Sequence, residues 1–310
     1  MSVHDRLTEF AGLPVRAAGP GADGTPPPGP GDVAWGIYDR EQGASPEKLD
    51  WLPEGVDTTR ITHLVLGFWD YDGGAVESLV AAADRFTNLR ALFLGDILDW
   101  ELHISWIKHG DITPLFEAYP GLEHLEIRGA SDLRFEPPRS DRLRVLRIES
   151  GGLPTEVATA VAAAELPALE HLDLWIGSDW YDGTSAPGDY APILTGERLP
   201  ALRHLGLENG GFQDELAEAL ATAPVVARLE SLSLALGMLS DRGAEALLTG
   251  QPLTHLRRLD LHHHYLAEAM ADRVKAALPG VEVDLTDPRG EADWVGRDLV
   301  FSATYIAVSE

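Results

Sequence analysis

The sequence predicts an α/β solenoid of short parallel strands and helices, and three observations support this prediction. The pattern Leu-x-x-Leu-x-Leu recurs along the chain. Segments rich in Ala, Leu and Glu separate the copies and have the composition of helices. The 310 residues are 45% hydrophobic, which is enough apolar material for a continuous core. Repeats of this size are typical of solenoids.

The repeated pattern defines the strands. From Leu89 to Leu256 the copies start 33, 21, 26, 33, 27 and 27 residues apart, and the mean is about 28. Alternate leucines of each strand point into the core, and parallel neighbours need a crossover that a helix can supply. We therefore predict a horseshoe-shaped leucine-rich-repeat solenoid, with a parallel concave sheet, convex helices and about eight repeats plus caps. The copies start at Ile61, Leu89, Leu122, Leu143, Leu169, Leu202, Leu229 and Leu256.

Helical segments lie between the strands. Pro114 and Pro154 suit the first position of a helix, Ser240 can cap one, and Gly280 marks the end of the last one. The predicted helical segments are 75–86, 154–164, 213–221, 240–248 and 266–277.

The ends of the chain lie outside the repeat. We expect residues 1–60 to form an N-terminal cap in which Leu7 and Phe10 cover the first rung, with a flexible Gly- and Pro-rich connector at 17–32. Residues 61–286 form the predicted solenoid, and 287–310 a C-terminal cap that closes the last rung.

Composition excludes several function classes. Lys and Arg number 24 against 50 Asp and Glu, a formal net charge of −26 that disfavours nucleic acid as a partner. There is no Cys, so a disulfide framework and thiolate metal sites are excluded. Neither a secretory signal nor a membrane-length apolar stretch is found, so we expect a soluble, cytoplasmic protein with no membrane partner. No catalytic motif occurs, and we predict neither enzyme activity nor a cofactor.

Strand register predicts which side chains line the concave face, because they alternate with the inward leucines. The middle strands bring mixed charge together, and an acidic and aromatic stretch with an exposed Trp175 lies beside it. This face could bind a basic protein, or its charges could simply neutralise each other. The predicted partner-binding residues are Glu126, Arg128, Arg147, Glu149, His171, Asp173, Trp175, His204, Glu208, Asp260 and His262.

Histidine recurs at one repeat position of the concave face. His171 and His204 fall on adjacent rungs, about 4.8 Å apart, and could hold a divalent metal or act as ordinary repeat residues. His264 replaces a turn residue, and we expect its ring to bond the neighbouring backbone.

Two intervals of 33 residues contain extra loop material with Trp beside carboxylates. Trp100 in the first interval and Trp180 and Tyr181 in the second are candidate anchors for a partner. In the alternative, Trp100 and Trp106 fill the groove between helices.

Several short stretches of the sequence resemble those of known leucine-rich-repeat families. The run from Leu229 to Leu261 is similar to the ribonuclease-inhibitor-like subclass of leucine-rich repeats. The strings Leu92-Phe93-Leu94-Gly95-Asp96-Ile97, Ile104-Ser105-Trp106-Ile107, Gly151-Gly152-Leu153-Pro154 and Leu259-Asp260-Leu261-His262-His263-His264-Tyr265 resemble those of a family of bacterial cytosolic leucine-rich-repeat proteins. This resemblance spans nearly the whole chain and implies no catalytic residues.

Together these observations predict a non-catalytic scaffold whose concave face binds another protein or peptide of basic character. The alternative is an accessory protein that binds a metal or small ligand through the concave histidines and carboxylates.

Overall fold

Parallel strands in sequential order form the body of the protein in a computed structural model. The structure describes residues 5–18, 29–38, 46–52, 55–69, 71, 73–290, 292–295 and 300–308. Within these residues, twelve strands form one sheet in the order of the chain, and every pairing after the first is parallel. The strands are β1 (Glu9–Phe10), β2 (Leu13–Ala17), β3 (Ala34–Ile37), β4 (His63–Leu66), β5 (Ala91–Leu94), β6 (His124–Arg128), β7 (Val145–Glu149), β8 (His171–Gly177), β9 (His204–Gly210), β10 (Ser231–Ser233), β11 (Arg258–Asp260) and β12 (Glu282–Asp284).

Crossovers between the parallel strands carry the helices. The α-helices of the described residues are α1 (Ala75–Ala81), α2 (Thr113–Ala118), α3 (Thr155–Ala163), α4 (Ala191–Thr195), α5 (Gln213–Leu220), α6 (Asp241–Thr249) and α7 (Glu268–Ala277). Short 3-10 helices cover Pro46–Trp51, Thr58–Arg60, Ile104–Trp106, Asp179–Tyr181, Pro187–Tyr190 and Pro224–Arg228. None of these helices is long and apolar enough to cross a bilayer.

The core lies between the sheet and the helices. Leucines of the repeat, such as Leu172 and Leu205, are fully buried there against helix residues such as Val161 and Leu216. Because the leucines occupy alternate positions, each strand contributes one face to this core and leaves the other face for different contacts. We call that second face the concave face. The strand order, the parallel pairing and the leucine core identify a leucine-rich-repeat solenoid, as predicted.

The predicted helices are found with shifted ends. α1 ends at Ala81, five residues before the predicted end of the segment. Ser240 caps α6, because its side chain accepts a hydrogen bond from the Arg242 amide, and Pro114 lies in the first turn of α2. One further parallel strand, β12, follows the last copy of the repeated pattern.

Segments near both ends of the chain reach the concave side of the sheet. β1 turns back along β2, and its Phe10 packs on the concave face against Val65 and Phe93. Near the other end, β13 (Ala292–Val295) and β14 (Val300–Ala303) form a separate antiparallel pair. Residues 304–308, the C-terminal segment, return to the concave side, where Ala307 donates its amide to the Leu236 carbonyl. Most of the predicted connector at 17–32 lies outside the described residues.

Candidate functional site

Strand pairing aligns the concave residues into columns, as the sequence predicts. The first column pairs His124 with Val145, Val145 with His171, and His171 with His204. The second column pairs Glu126, Arg147 and Asp173, and the third pairs Arg128 with Glu149 and Trp175 with Glu208. The parallel register therefore brings together every middle-strand residue that the sequence placed on this face.

His171 and His204 form a stacked pair on adjacent rungs. Their ring centroids are 3.9 Å apart and their planes differ by 12°. Each ring donates from Nε2 to the carboxylate of Asp173, at 2.7 Å in both cases. The Nδ1 atom of His204 then accepts from the Ser231 hydroxyl at 2.6 Å, so both nitrogens of that ring are bonded.

Asp173 is the centre of this cluster. Burial acts to raise the pKa of its carboxyl, but the hydrogen bonds from His171 and His204 and the charge of Arg147 outweigh burial and hold the pKa well below its usual range. Arg147 Nη1 lies 3.4 Å from the carboxylate. Asp173 is therefore an anion, and the three donors around it stabilise its charge in place of water.

The same three side chains are a candidate metal site. One ligand atom from each of His171, Asp173 and His204 lies within 4.8 Å of the others. The parallel stacking opposes binding, however, because an ion in line with one Nε2 atom lies outside the plane of the other ring. The rings would have to tilt apart to hold one ion together. A second group of this kind, Asp260, His262 and Asp284, lies near Arg258, which already bonds both carboxylates.

The mixed-charge centre is buried, which corrects the expectation of an accessible surface. Arg128 and Glu149 are fully buried, and Arg128 Nε donates to Glu149 at 2.6 Å. Arg147 Nε lies 2.9 Å from the other carboxylate oxygen of Glu149. Glu126 is also buried and bonds His124 Nε2 at 2.5 Å. These charges neutralise one another inside the molecule, the alternative that the sequence left open.

The expectation that Trp175 is exposed is wrong, since only 1% of it is accessible. Ile104 and Val308 pack on it, so two segments that are distant in the sequence cover this ring. Its indole N–H donates to Glu208 at 2.8 Å, and Ser233 also donates to that carboxylate. Burial and the nearby Asp173 raise the pKa of Glu208. Trp175 and Glu208 thus support the groove and do not reach a partner in this conformation.

Asn209 holds the C-terminal segment in place, and the sequence reasoning missed it. Its side-chain amide donates to the Val308 carbonyl at 2.5 Å, and its side-chain oxygen accepts from the Val308 amide at 3.0 Å. The buried Asn209 has φ of 55°, in the left-handed region that Asn tolerates better than most residues. An Asn directly before Gly210 at the end of a strand was the available signal.

The N-terminal segment is attached to the other half of the concave face. Arg6 forms an ion pair with Glu101, with an Nη2–Oε1 distance of 2.5 Å. The carboxylate of Asp96 accepts from the Tyr38 hydroxyl at 2.8 Å and from the Leu7 amide at 3.3 Å. Burial raises the pKa of Asp96, although these donors act against the shift. The segment covers the apolar strands near Phe93.

A ladder of alternating charges lies just before the strands, and sequence reasoning also missed it. Arg90 bonds Glu123 at 2.7 Å, and Arg144 bonds Glu170 at 2.7 Å. Farther along, Arg257 lies 2.9 Å from Glu230. The available signal was the charge of the residue that directly precedes the first column, because this charge alternates in sign from one rung to the next. The residues are Arg90, Glu123, Arg144, Glu170, Arg203, Glu230 and Arg257.

The tryptophans of the two insertions are exposed. Trp100 is 74% and Trp106 is 63% accessible, so the hypothesis that they fill a groove between helices is wrong. Trp180 is 89% accessible and lies with Tyr181 on a short turn after β8. A cleft of about 920 Å³ opens beside that turn, with Tyr305 of the C-terminal segment on its opposite side.

The last turn has a structural role. His264 is buried, its Nε2 donates to the Leu285 carbonyl at 3.3 Å, and its Nδ1 accepts from the Leu266 amide at 3.1 Å. The predicted turn role of His264 is therefore confirmed. Asp260 and His262 remain half-buried on the concave face, joined by a 2.7 Å hydrogen bond that raises the pKa of His262.

Comparison with solved structures gives a strong similarity over most of the chain. The chain is similar to a structural-genomics crystal structure of a protein from Bacteroides fragilis, with 26% identity, a TM-score of 0.77, and coverage of 84% of this chain and 76% of that one. An internalin from Listeria monocytogenes aligns with 14% identity and a TM-score of 0.37, covering 82% and 74%. A leucine-rich-repeat protein from Leptospira interrogans aligns with 13% identity and a TM-score of 0.21, covering 82% and 84%. No protein-family model and no curated protein matches the sequence.

Proposed function

We propose that this leucine-rich-repeat protein is a non-catalytic scaffold that binds another protein or peptide along the accessible part of its concave face. The binding residues are those of the first column and the last turn, mainly His171, His204, Asp260 and His262. Trp180 and Tyr181 supply further contacts at the strand ends. The buried residues Glu126, Arg128, Glu149, Asp173, Trp175 and Glu208, together with the half-buried Arg147, act as the support that fixes this surface.

One observation carries the proposal. Across seven strands the first-column side chains remain partly accessible, from His124 on β6 to Glu282 on β12, while the other two columns are largely buried in the middle strands. The side chain of His171 is 37% accessible and that of Arg258 is 40% accessible. A strip of polar side chains held by a rigid, hydrogen-bonded support is well suited to multi-rung recognition, because little ordering remains to be done on binding.

The charge of the chain favours a basic partner. The formal net charge is −26, and acidic surfaces attract basic proteins and repel nucleic acids and anionic membranes. At the end of the strip, Glu282 of the first column and Asp260 and Asp284 beside it surround Arg258, so acid is in excess there. A partner that presents Lys or Arg to this end fits best.

Site-specific photocrosslinking tests the proposal. A photoreactive residue replaces His171 in one variant and Asp272 on the exposed side of α7 in another. Crosslinking in extract should give a discrete protein adduct from position 171 and none of that size from position 272. Excess unlabelled protein should compete, and raising the salt from about 0.05 to 0.5 M should weaken capture of a basic partner. Adducts of equal yield at both positions would contradict the proposal.

The alternative function is metal or small-ligand binding by the concave histidines and carboxylates. The observation that favours it is the convergence of two Nε2 atoms on Asp173. Calorimetric titration of tag-free protein with zinc tests it: stoichiometric binding lost in His204→Ala and kept in His255→Ala would support the alternative. Absence of binding, together with a position-171 adduct, would favour the scaffold.

A further inference from the structure

A cleft lined by aromatic side chains lies between the second insertion and the C-terminal segment. One wall is the turn 178–183 with Trp180 and Tyr181, and the opposite wall is Tyr305 with Ile306. Phe212 and Met238 also line the cleft and are half-buried, and we call them its floor. Its volume of about 920 Å³ is within the range of pockets that enclose a ligand or a short peptide segment.

Both walls are held by the backbone, so the cleft is formed before anything binds. In the turn, the Tyr181 and Gly183 amides both donate to the Ser178 carbonyl, at 3.2 and 3.1 Å. Gly177 has φ of +72°, and a Cβ atom there would lie 2.0 Å from the Gly151 carbonyl oxygen, so only glycine permits this close approach. On the opposite wall the Tyr265 hydroxyl bonds both the amide and the carbonyl of Tyr305.

Charge selects the kind of occupant. In the described part of the chain no Lys, Arg or His side chain lines the cleft, and Asp179 supplies a carboxylate at its rim. Trp180 is 89% accessible, and a tryptophan face beside a carboxylate attracts a guanidinium or ammonium group through both the ring quadrupole and the charge. The floor, by contrast, offers apolar contact.

We infer that this cleft binds a segment of a partner protein in which Arg or Lys stands next to apolar residues, with the cation over Trp180 and beside Asp179 and the apolar side chains on the floor. The inference rests on the proposed scaffold function and names a second contact for the same partner. A cationic side chain placed in this way matches the net negative charge of the chain.

Selection from a random dodecapeptide library displayed on phage tests the inference. The library is panned on the wild-type protein after depletion on Trp180→Ala, and enriched peptides are resynthesised with a fluorescein label for anisotropy titrations. Enriched peptides should contain Arg or Lys beside aliphatic or aromatic residues. Their affinity should fall about tenfold in Trp180→Ala, as expected for an aromatic hot spot, and about threefold in Asp179→Asn. It should also decrease as salt is raised.

Trp100→Ala is the matched control, because it removes another exposed tryptophan from a different loop. It should leave affinity unchanged, and both tryptophan variants should keep the wild-type melting temperature. The inference is overturned if no recovered peptide depends on Trp180 for binding, or if the recovered peptides lack basic residues. If no such peptides are recovered while the crosslink at position 171 still forms, only the inference about the cleft is rejected. Loss of the crosslink with peptides still bound rejects the concave strip.

Discussion

In the N-terminal half of the concave face, β4 and β5 present Val65, Ala91 and Phe93, whereas in the C-terminal half β8 and β9 present Asp173, Trp175 and Glu208. A segment of the chain covers each half. Phe10 covers the first by apolar contact, with its ring centroid 5.8 Å from that of Phe93, while Arg6 and Leu7 of the same segment bond Glu101 and Asp96. In the second half, the covering segment is held by directional hydrogen bonds from Asn209.

The difference follows from the cost of removing charged side chains from water. Apolar side chains gain stability from burial in any orientation. A carboxylate or guanidinium loses its hydration when it is covered, and the loss is offset only where a partner lies at hydrogen-bond distance. The charged half is therefore a network, and we expect it to be sensitive to single changes that unbalance it.

We expect the largest loss of stability from a substitution that breaks the network at its most buried ion pair. Glu149→Leu leaves Arg128 buried without its carboxylate, and we expect the free energy of unfolding to fall by about 3–5 kcal/mol in urea denaturation. The double variant Arg128→Met with Glu149→Leu should recover most of this loss, because it removes both charges. A double variant no more stable than Glu149→Leu alone would contradict the role of the pair.

A smaller effect is expected in the apolar half. Phe10→Ala removes the ring that packs on Phe93 and should lower the free energy of unfolding by about 3 kcal/mol. Hydrogen exchange should become faster at Ala91 and Phe93 and stay unchanged on β9. Phe10→Leu is the control and should cost less than half as much. Equal exchange changes on β5 and β9 would show that the two halves are not independent.

The next effect depends on pH. The pKa of Asp173 is lowered in the folded state, so its contribution to stability is present above its unfolded pKa of about 3.9 and is lost as the pH falls toward the folded value. Asp173→Asn should cost about 1.5–3 kcal/mol at pH 7, and this difference should shrink below about pH 4. Thermal unfolding of both proteins from pH 7 to 3 measures it. If the stability difference between the two proteins grew on acidification, the pKa of Asp173 would not be lowered in the folded state.

The smallest effect is expected in the exposed charge ladder. Glu123→Gln removes the partner of Arg90, and the free energy of unfolding should change by less than about 1 kcal/mol. The change should vanish in about 1 M salt, where exposed charges are screened. A loss above 2 kcal/mol that survives in high salt would mean that the ladder contributes to the core structure.

Sequence reasoning predicted the solenoid well because its evidence is periodic. The leucine positions determined the strands and the core, and the alternation determined which side chains lie on the concave face, where the strand pairing aligns them. The pairing of His171 with His204 could be predicted for the same reason. Their stacking and their shared bond to Asp173 could not, because rotamers depend on neighbours across strands.

Accessibility was the property that the repeat pattern could not predict. By itself the sequence determined the rungs, the register and the inward leucines, since these follow from spacing along one strand. Only the tertiary structure decided that Ile104 and Val308 cover Trp175 while Trp100 and Trp180 stay exposed. The physical reason is that burial of a concave side chain depends on which distant segment packs over it, and that packing leaves no period in the sequence.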